Sequence, residues 1–453
     1  MTADPNKTRA LDSGLPDDIE PAEITPSPIE VPAAEILAAD EAADDSRGGA
    51  LAFLTVFRHR NYRLFFSGQL VSLMGTWITN VTQGWLVYSL THSPFLLGVT
   101  SFAGQVPVFF LAAFGGAISD RFDRRRLLLI TQTLACAESL VLAVLTLTHR
   151  ITVWEIVCLA LFQGFINAFD VPSRQAMTVE MVGREDLRHA ISLNSMMFNL
   201  ARIVGPTVAG ILIALVGAGI CFAVDAVSYA AVIVSLSLMA FAARPVRKHA
   251  QPFRAVLLGF RYAWSEREIR VSLLLIALCS AGGAAYLPLL PAIARDVLHQ
   301  GSEGLGFLYG AVGAGALLGA YTLARVPDRH LFATPVVAAF CFGLSLIAFS
   351  QSHIFWLSWL LLLPSSFCLM LLGGSTNTII QLLSRDDMRG RVVAFYAMGF
   401  MGMMPWGSLA LGWVAEHVGT SLAVTAGGCI CVLAALGAGY DRRGARWKLQ
   451  QAE

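Results

Sequence analysis

The sequence predicts an all-α integral membrane protein: twelve transmembrane helices in two six-helix bundles, preceded by a disordered acidic tail. Three observations predict it. Of 453 residues, 56% are hydrophobic and 14% charged, and mean hydropathy is +0.63. Ordinary soluble proteins carry roughly 25% charged residues, and a soluble core could not hide this much apolar surface. The apolar residues fall into runs of about 20, the length that crosses a bilayer core as helix. Finally, Lys and Arg gather in alternate connections between those runs.

Taken in order, residues 1–50 hold 12 acids, 3 basic residues and 6 prolines, for a net −9. Such a segment has little to bury and is expected to be disordered. It lacks a basic start followed by an apolar stretch, so it does not read as a signal peptide. The rest of the chain carries +10. The N-terminal bundle, 57–243, contains spans near 63–89, 94–119, 127–148, 152–172, 190–215 and 219–242. Residues 244–269 form a basic linker in which Phe253, Val256, Leu257, Phe260 and Trp264 recur at helical spacing, predicting an amphipathic helix at the membrane surface. The C-terminal bundle, 270–440, contains spans near 270–293, 304–325, 331–350, 354–382, 391–415 and 421–440, and residues 441–453 form a tail. Pro107, Pro206, Pro364 and Pro405 do not veto these spans, because neighbouring helices can satisfy the freed backbone groups.

Charge orients the set. Arg58, Arg60 and Arg63 precede span 1, and the loops after even-numbered spans hold nearly all the remaining Lys and Arg. The opposite loops hold only Arg150 and Arg295. The positive-inside rule then places both termini in the cytoplasm. The halves also repeat. Arg184 to Ile191 parallels Arg385 to Val392 at an offset of 201, and Gly115 to Arg126 parallels Gly319 to His330 at 204, with Asp120 becoming Ala324. Two similar offsets argue for parallel repeats of about six helices.

Several classes of function are excluded. All eight Cys lie in apolar segments, where free thiols behave as small hydrophobes, so neither disulfides nor a metal site is expected. No Gly-x-x-x-x-Gly-Lys-[Ser/Thr] phosphate loop occurs, and no nucleophile–base or metal constellation suggests an enzyme or a cofactor. Nothing points to a nucleic-acid partner.

Gly116-Ala-Ile-Ser-Asp120-Arg121-Phe-Asp123-Arg124-Arg125-Arg126 follows span 2. It resembles the loop between helices 2 and 3 of major facilitator superfamily (MFS) transporters. Phe57-Arg-His-Arg-Asn-Tyr-Arg63-Leu-Phe-Phe and Asp170-Val-Pro-Ser-Arg174-Gln-Ala look most like the enterobactin-exporter and macrolide-efflux branch. The resemblance covers residues 57–440 and implies the MFS fold in the plasma (inner) membrane. It also implies a conformational latch of Gly116, Asp120, Arg121, Arg124 and Arg125, with Asp170 and Arg174 as partners. The chain departs from the family twice. Asp123 stands where a Gly is usual, and the Arg of a helix-4 Arg-x-x-x-Gly pattern is missing from Leu161-Phe-Gln163-Gly164. Gly205-Pro206-Thr-Val-Ala-Gly210 resembles an element of drug–proton antiporters, and helix packing explains it nearly as well.

Three charges lie well inside predicted spans: Glu138, Arg202 and Asp225. Such groups are costly in hydrocarbon and face a partner or a cavity. Glu138 and Arg202 share a depth, which allows an ion pair; Glu138 and Asp225 are the carboxylates available for proton coupling. Thr76, Asn80 and Gln83 on span 1, with Gln163 and Asn167 on span 4, give each helix a polar face and are candidate cavity residues. Together with the resemblance, these features lead to the expectation of proton-coupled efflux of an amphipathic organic compound by alternating access. The resemblance suggests a siderophore, macrolide or other drug-like molecule. An uptake permease of the same fold and a non-transporting membrane receptor are the competing readings.

Overall fold

A computed structural model of the chain describes residues 52–119, 122–183, 186–239 and 252–450. The acidic tail, Asp120, Arg121 and linker residues 244–251 lie outside the described residues. Residues Phe53–Glu453 form one unit.

In the first half of the larger unit lie α1 (Arg60–Thr91), α2 (Pro94–Ser119), α3 (Arg124–Leu147), α4 (Val153–Val182), α5 (Leu187–Val216) and α6 (Ala218–Leu238). A linking helix, Pro252–Ser265, leads to the second half. There follow α7 (Arg267–Val297), α8 (Ser302–Leu323), α9 (Thr334–Ser350), α10 (Phe355–Leu383), α11 (Met388–Val418) and α12 (Thr420–Gln450). Ten of these helices are long and apolar enough to cross a membrane. The other two are α9, with 17 residues, and α1, whose 32 residues include a polar stripe. The described residues contain no strand.

Local chemistry sets the boundaries. Asp123 caps α3 by accepting the Arg126 N–H at 3.1 Å, so the residue that replaces a family Gly has a structural task. Glu155 Oε2 accepts the Thr152 N–H at 2.7 Å in a capping box that starts α4. Arg125 donates from Nε to the Leu236 carbonyl and from Nη2 to that of Ser237, both at 2.7 Å, closing orphan acceptors at the end of α6.

Two spans are irregular, for readable reasons. After Gly282 and Gly283, α7 continues through a tight turn at Ala284–Leu289, then Pro291 and a π turn at Ile293–Val297. Pro291 has no N–H for the Leu287 carbonyl, and the Tyr309 hydroxyl of α8 donates to that carbonyl at 3.0 Å instead. In α11 a π turn, Met398–Gly402, precedes Pro405, and the Ser280 hydroxyl of α7 donates to the Phe400 carbonyl.

Within the first half α1 packs on α6, α2 on α4, and α3 on both α4 and α6. The second half repeats this pattern: α7 on α12, α8 on α10, α9 on α10 and α12. The halves meet through α2 against α11 and α5 against α8. This exchange of equivalent helices positions everything that follows.

Candidate functional site

The bundle has a basic end, where Arg58, Arg124, Arg125 and Arg389 lie, and a far end, where α1 gives way to α2 and α7 to α8. The halves touch closely in the far part. A Cβ on Gly98 would lie 2.4 Å from the Ser408 carbonyl oxygen, and one on Gly210 2.4 Å from that of Ser302. Only glycine permits such backbone approach. Gly306 rests against Pro206 and Gly210, and Gly205 lies on Trp77, so Gly205, Pro206 and Gly210 are packing residues, with Pro206 and Gly210 on the seam between halves. Aromatic contacts extend the α2–α11 side, with Phe102 and Trp406 edge-to-face at 4.9 Å.

Polar contacts close the same end. The Tyr88 hydroxyl donates to Asp296, while Glu416 accepts from the Ser93 hydroxyl at 2.8 Å and from the Phe95 N–H at 3.2 Å. Glu416 of the second half thus caps the first turn of α2, where helix geometry leaves N–H groups unpaired. Arg295 lies 6.0 Å from the centre of the Trp85 ring. The sequence reading missed this closure. Its only signal was a few acids, with Arg150 and Arg295, on connections otherwise poor in charge.

Toward the basic end the seam parts. The stripe of α8 that carries Gly306, Gly310 and Gly313 continues into Leu317 and Tyr321, which are 47% and 61% exposed. On α5 the facing stripe continues into Met196, 55% exposed. The space between the halves therefore opens toward the basic end and ends at the level of Ile203 and Gly313, where backbone contact resumes.

The predicted cavity residues divide. Thr76 bonds the Ser72 carbonyl at 3.0 Å and lies 3.5 Å from the Tyr229 hydroxyl, so it belongs to the α1–α6 contact. Asn80 is exposed, one turn from Gly84, which approaches Pro291 of the second half. Gln83 is half-buried. On α4, Gln163 donates to Asn167 at 3.5 Å; both lie on the side away from exposed Leu161, Phe162 and Phe165.

The predicted latch residues also divide. Arg124 pairs with Glu180 at 2.6 Å, joining α3 to α4, and Arg125 holds the end of α6. Gly116 lies in the last turns of α2. Among the described residues, Asp170 is held by α3 and by its own helix. It is buried, accepting from Thr131 and Gln132 at 2.8 Å each and from Arg174 on its own helix. An anchor the sequence did not reveal sits nearby: Asp186 accepts from Arg58 Nη2 at 2.8 Å and meets His59 Nε2 at 2.7 Å. Burial pushes the Asp186 carboxyl up, but the His59 and Arg58 hydrogen bonds and charges outweigh it and hold it below its ordinary value.

The expected Glu138–Arg202 ion pair does not form. Their depths match, but their helix faces diverge. Glu138 is buried on α3 facing α6, where the Ser139 hydroxyl lies 2.9 Å from Asp225 Oδ2 and 3.4 Å from Glu138 Oε2. Ser228 lies 3.2 Å from the other Asp225 oxygen. Arg202 instead lies within electrostatic range of Tyr286 on α7, in the other half. Depth is legible from residue counting; the azimuth that decides pairing depends on how the helices are rotated.

Among the described residues, no group of three or more His, Cys, Asp or Glu could hold a metal ion. The chain matches the family described as transmembrane secretion effector over residues 51–451. It is 27% identical to the staphyloferrin A transporter of Staphylococcus aureus over 369 residues, which is 79% of this chain and 90% of that one. It is 25% identical to the enterobactin exporter EntS of Shigella boydii over 268 residues, covering 59% of this chain and 64% of the relative. In fold it is similar to a bacterial homologue of the human lysosomal transporter Spinster, with a TM-score of 0.67 at 11% identity, covering 87% of this chain and 98% of that one. It is also similar to the peptide transporter PepTSo, with a TM-score of 0.65 at 12% identity over 86% and 99% of the two chains. A family match across nearly the whole membrane unit, on an MFS arrangement of helices, identifies the chain as a member of the transmembrane secretion effector family of the major facilitator superfamily, a multi-pass membrane transporter rather than an enzyme.

Proposed function

We propose that the protein exports an amphipathic organic compound, siderophore-like or drug-like, across the plasma (inner) membrane by proton-coupled alternating access. The observation that carries this reading is the asymmetric seam: tight backbone contact and polar closure at the far end, separation at the basic end. With the basic end in the cytoplasm, as the positive-inside rule directs, the chamber loads from inside. The name of the EntS relative supports the outward direction. On this reading the two bundles, 57–243 and 270–440, rock about the seam, the linker joins them, and the Asp120 loop stabilises the opposite state.

Proton coupling is assigned to Glu138 and Asp225. Ser139 has a single hydroxyl hydrogen and donates it to Asp225. The same hydroxyl lies 3.4 Å from Glu138 Oε2, so it bridges the two carboxyl groups and offers a path for a proton between them. Cys136 and Tyr229 are the other titratable groups facing Asp225.

The test is accumulation in everted membrane vesicles under an imposed proton gradient, comparing a siderophore panel with macrolides. Export predicts gradient-dependent accumulation that an uncoupler abolishes. Accumulation only in right-side-out vesicles would convert the reading to uptake, and movement of no compound would favour a non-transporting receptor.

A further inference from the structure

Arg202 is a guanidinium in the middle of a membrane helix, 15 residues into the 30-residue α5. Among the described residues it makes no hydrogen bond and no ion pair. The buried acids of the first half's helices have other partners: Glu138 and Asp225 meet Ser139, and Asp170 meets Arg174 and α3. The second half, which Arg202 faces, offers none at that depth. Between residues 270 and 440 its acids are Asp296, Glu303, Asp328, Asp386, Asp387 and Glu416, all at or beyond helix ends. An uncompensated cation in this setting costs stability, and a membrane protein that keeps one has a use for it.

Its surroundings repeat the pattern. Tyr286 on α7 lies within electrostatic range of Arg202 and faces Ser366 on α10. Both hydroxyl oxygens are enclosed and neither meets hydrogen-bonding geometry, although each residue is no more than 2% exposed. A guanidinium and two hydroxyls can all donate to one acceptor group. The Arg202 backbone sits where the seam closes, its carbonyl 3.1 Å from where a Cβ on Gly313 would be, and Ser366 packs beside Gly315 on the helix that carries Gly313. That is the inner limit of the chamber that opens to the basic end.

We propose that Arg202, with Tyr286 and Ser366, is the subsite that receives an anionic group, a carboxylate or similar oxyanion, of the transported compound. The proposal rests on the transport reading above and narrows its substrate class: the compound supplies the counter-ion that the chain omits. A carboxylate can take the guanidinium fork through both oxygens, so Lys is a poor substitute.

The test uses the full chain purified in detergent, with 2-naphthoate and its neutral isostere 2-naphthamide as probes, read by tryptophan quenching and thermal unfolding. Wild type should bind the carboxylate about 10- to 100-fold more tightly than the amide. Arg202→Gln should abolish that preference, Arg202→Lys should retain only part of it, and Tyr286→Phe should reduce it. Unfolding of ligand-free Arg202→Gln should occur at no lower temperature than wild type. Equal binding of both probes, binding of neither, or a preference that survives in Arg202→Gln would overturn the proposal. A large loss of ligand-free stability in both Arg202 variants would also overturn it, by making the residue structural. The assay involves neither a gradient nor a direction, so its failure is separable from failure of the export reading.

Discussion

Replacing Gly210 with Ala should shift the protein away from the state closed at its far end. A Cβ there would lie 2.4 Å from the Ser302 carbonyl oxygen, 2.9 Å from Gly306 Cα and 3.0 Å from Gly306 N. All three are backbone atoms, which cannot swing aside as a side-chain tip can. Restoring ordinary contact near 3.4 Å requires α5 and α8 to separate by about 1 Å at the far end. Overpacking of this kind costs about 1–3 kcal/mol. The penalty falls on the closed state, because helices that have already parted there lose nothing. By RT ln K it moves the balance between states by about 5- to 160-fold. The assay is Asn80→Cys labelling by an impermeant maleimide applied to right-side-out vesicles, with exposed Cys158, Cys341 and Cys429 replaced by Ala. Gly210→Ala should raise the labelling rate several-fold. Gly437→Ala, where a Cβ meets open space, should leave it unchanged. An unchanged rate in folded Gly210→Ala protein would refute the reasoning that this seam is what seals the far end.

Other predictions follow from the same geometry. Glu138→Gln should leave a folded protein whose transport has lost its pH dependence; poor yield with normal pH dependence in the remaining protein would make the residue structural. Asp120→Asn should reduce transport at equal expression, and unchanged export would remove that residue from the mechanism. Asp186→Asn should cost about 1–2 kcal/mol at neutral pH, a modest figure because Arg58 is largely exposed. The carboxyl is held below its ordinary value in the fold, so its contribution is present above the unfolded value near 3.9 and disappears as pH falls through the folded one. The stability gap between wild type and Asp186→Asn, measured by thermal unfolding, should therefore be present at neutral pH and close in acid solution as the carboxyl takes up its proton.

The sequence by itself determined the class of fold, the helix inventory and the repeat, because these depend on local quantities. Apolar run length sets where a helix crosses, and Asp123, Thr152, Gly183 and Gly217 mark helix ends by cap chemistry that needs only near neighbours. The depth of Glu138 and Arg202 was equally legible, since it is a count along an axis. Only the tertiary structure decided their partners. Rotation of α3 brings Glu138 and Ser139 to Asp225 on α6, and rotation of α5 leaves Arg202 without either acid, within electrostatic range of Tyr286. The same holds for Thr76, spent on Tyr229, and for Asp170, spent on Thr131 and Gln132. The far-end closure joins residues more than 200 positions apart, Tyr88 with Asp296 and Ser93 with Glu416. No local period encodes such a pair. It exists because two independently legible bundles dock through glycines that let their backbones touch.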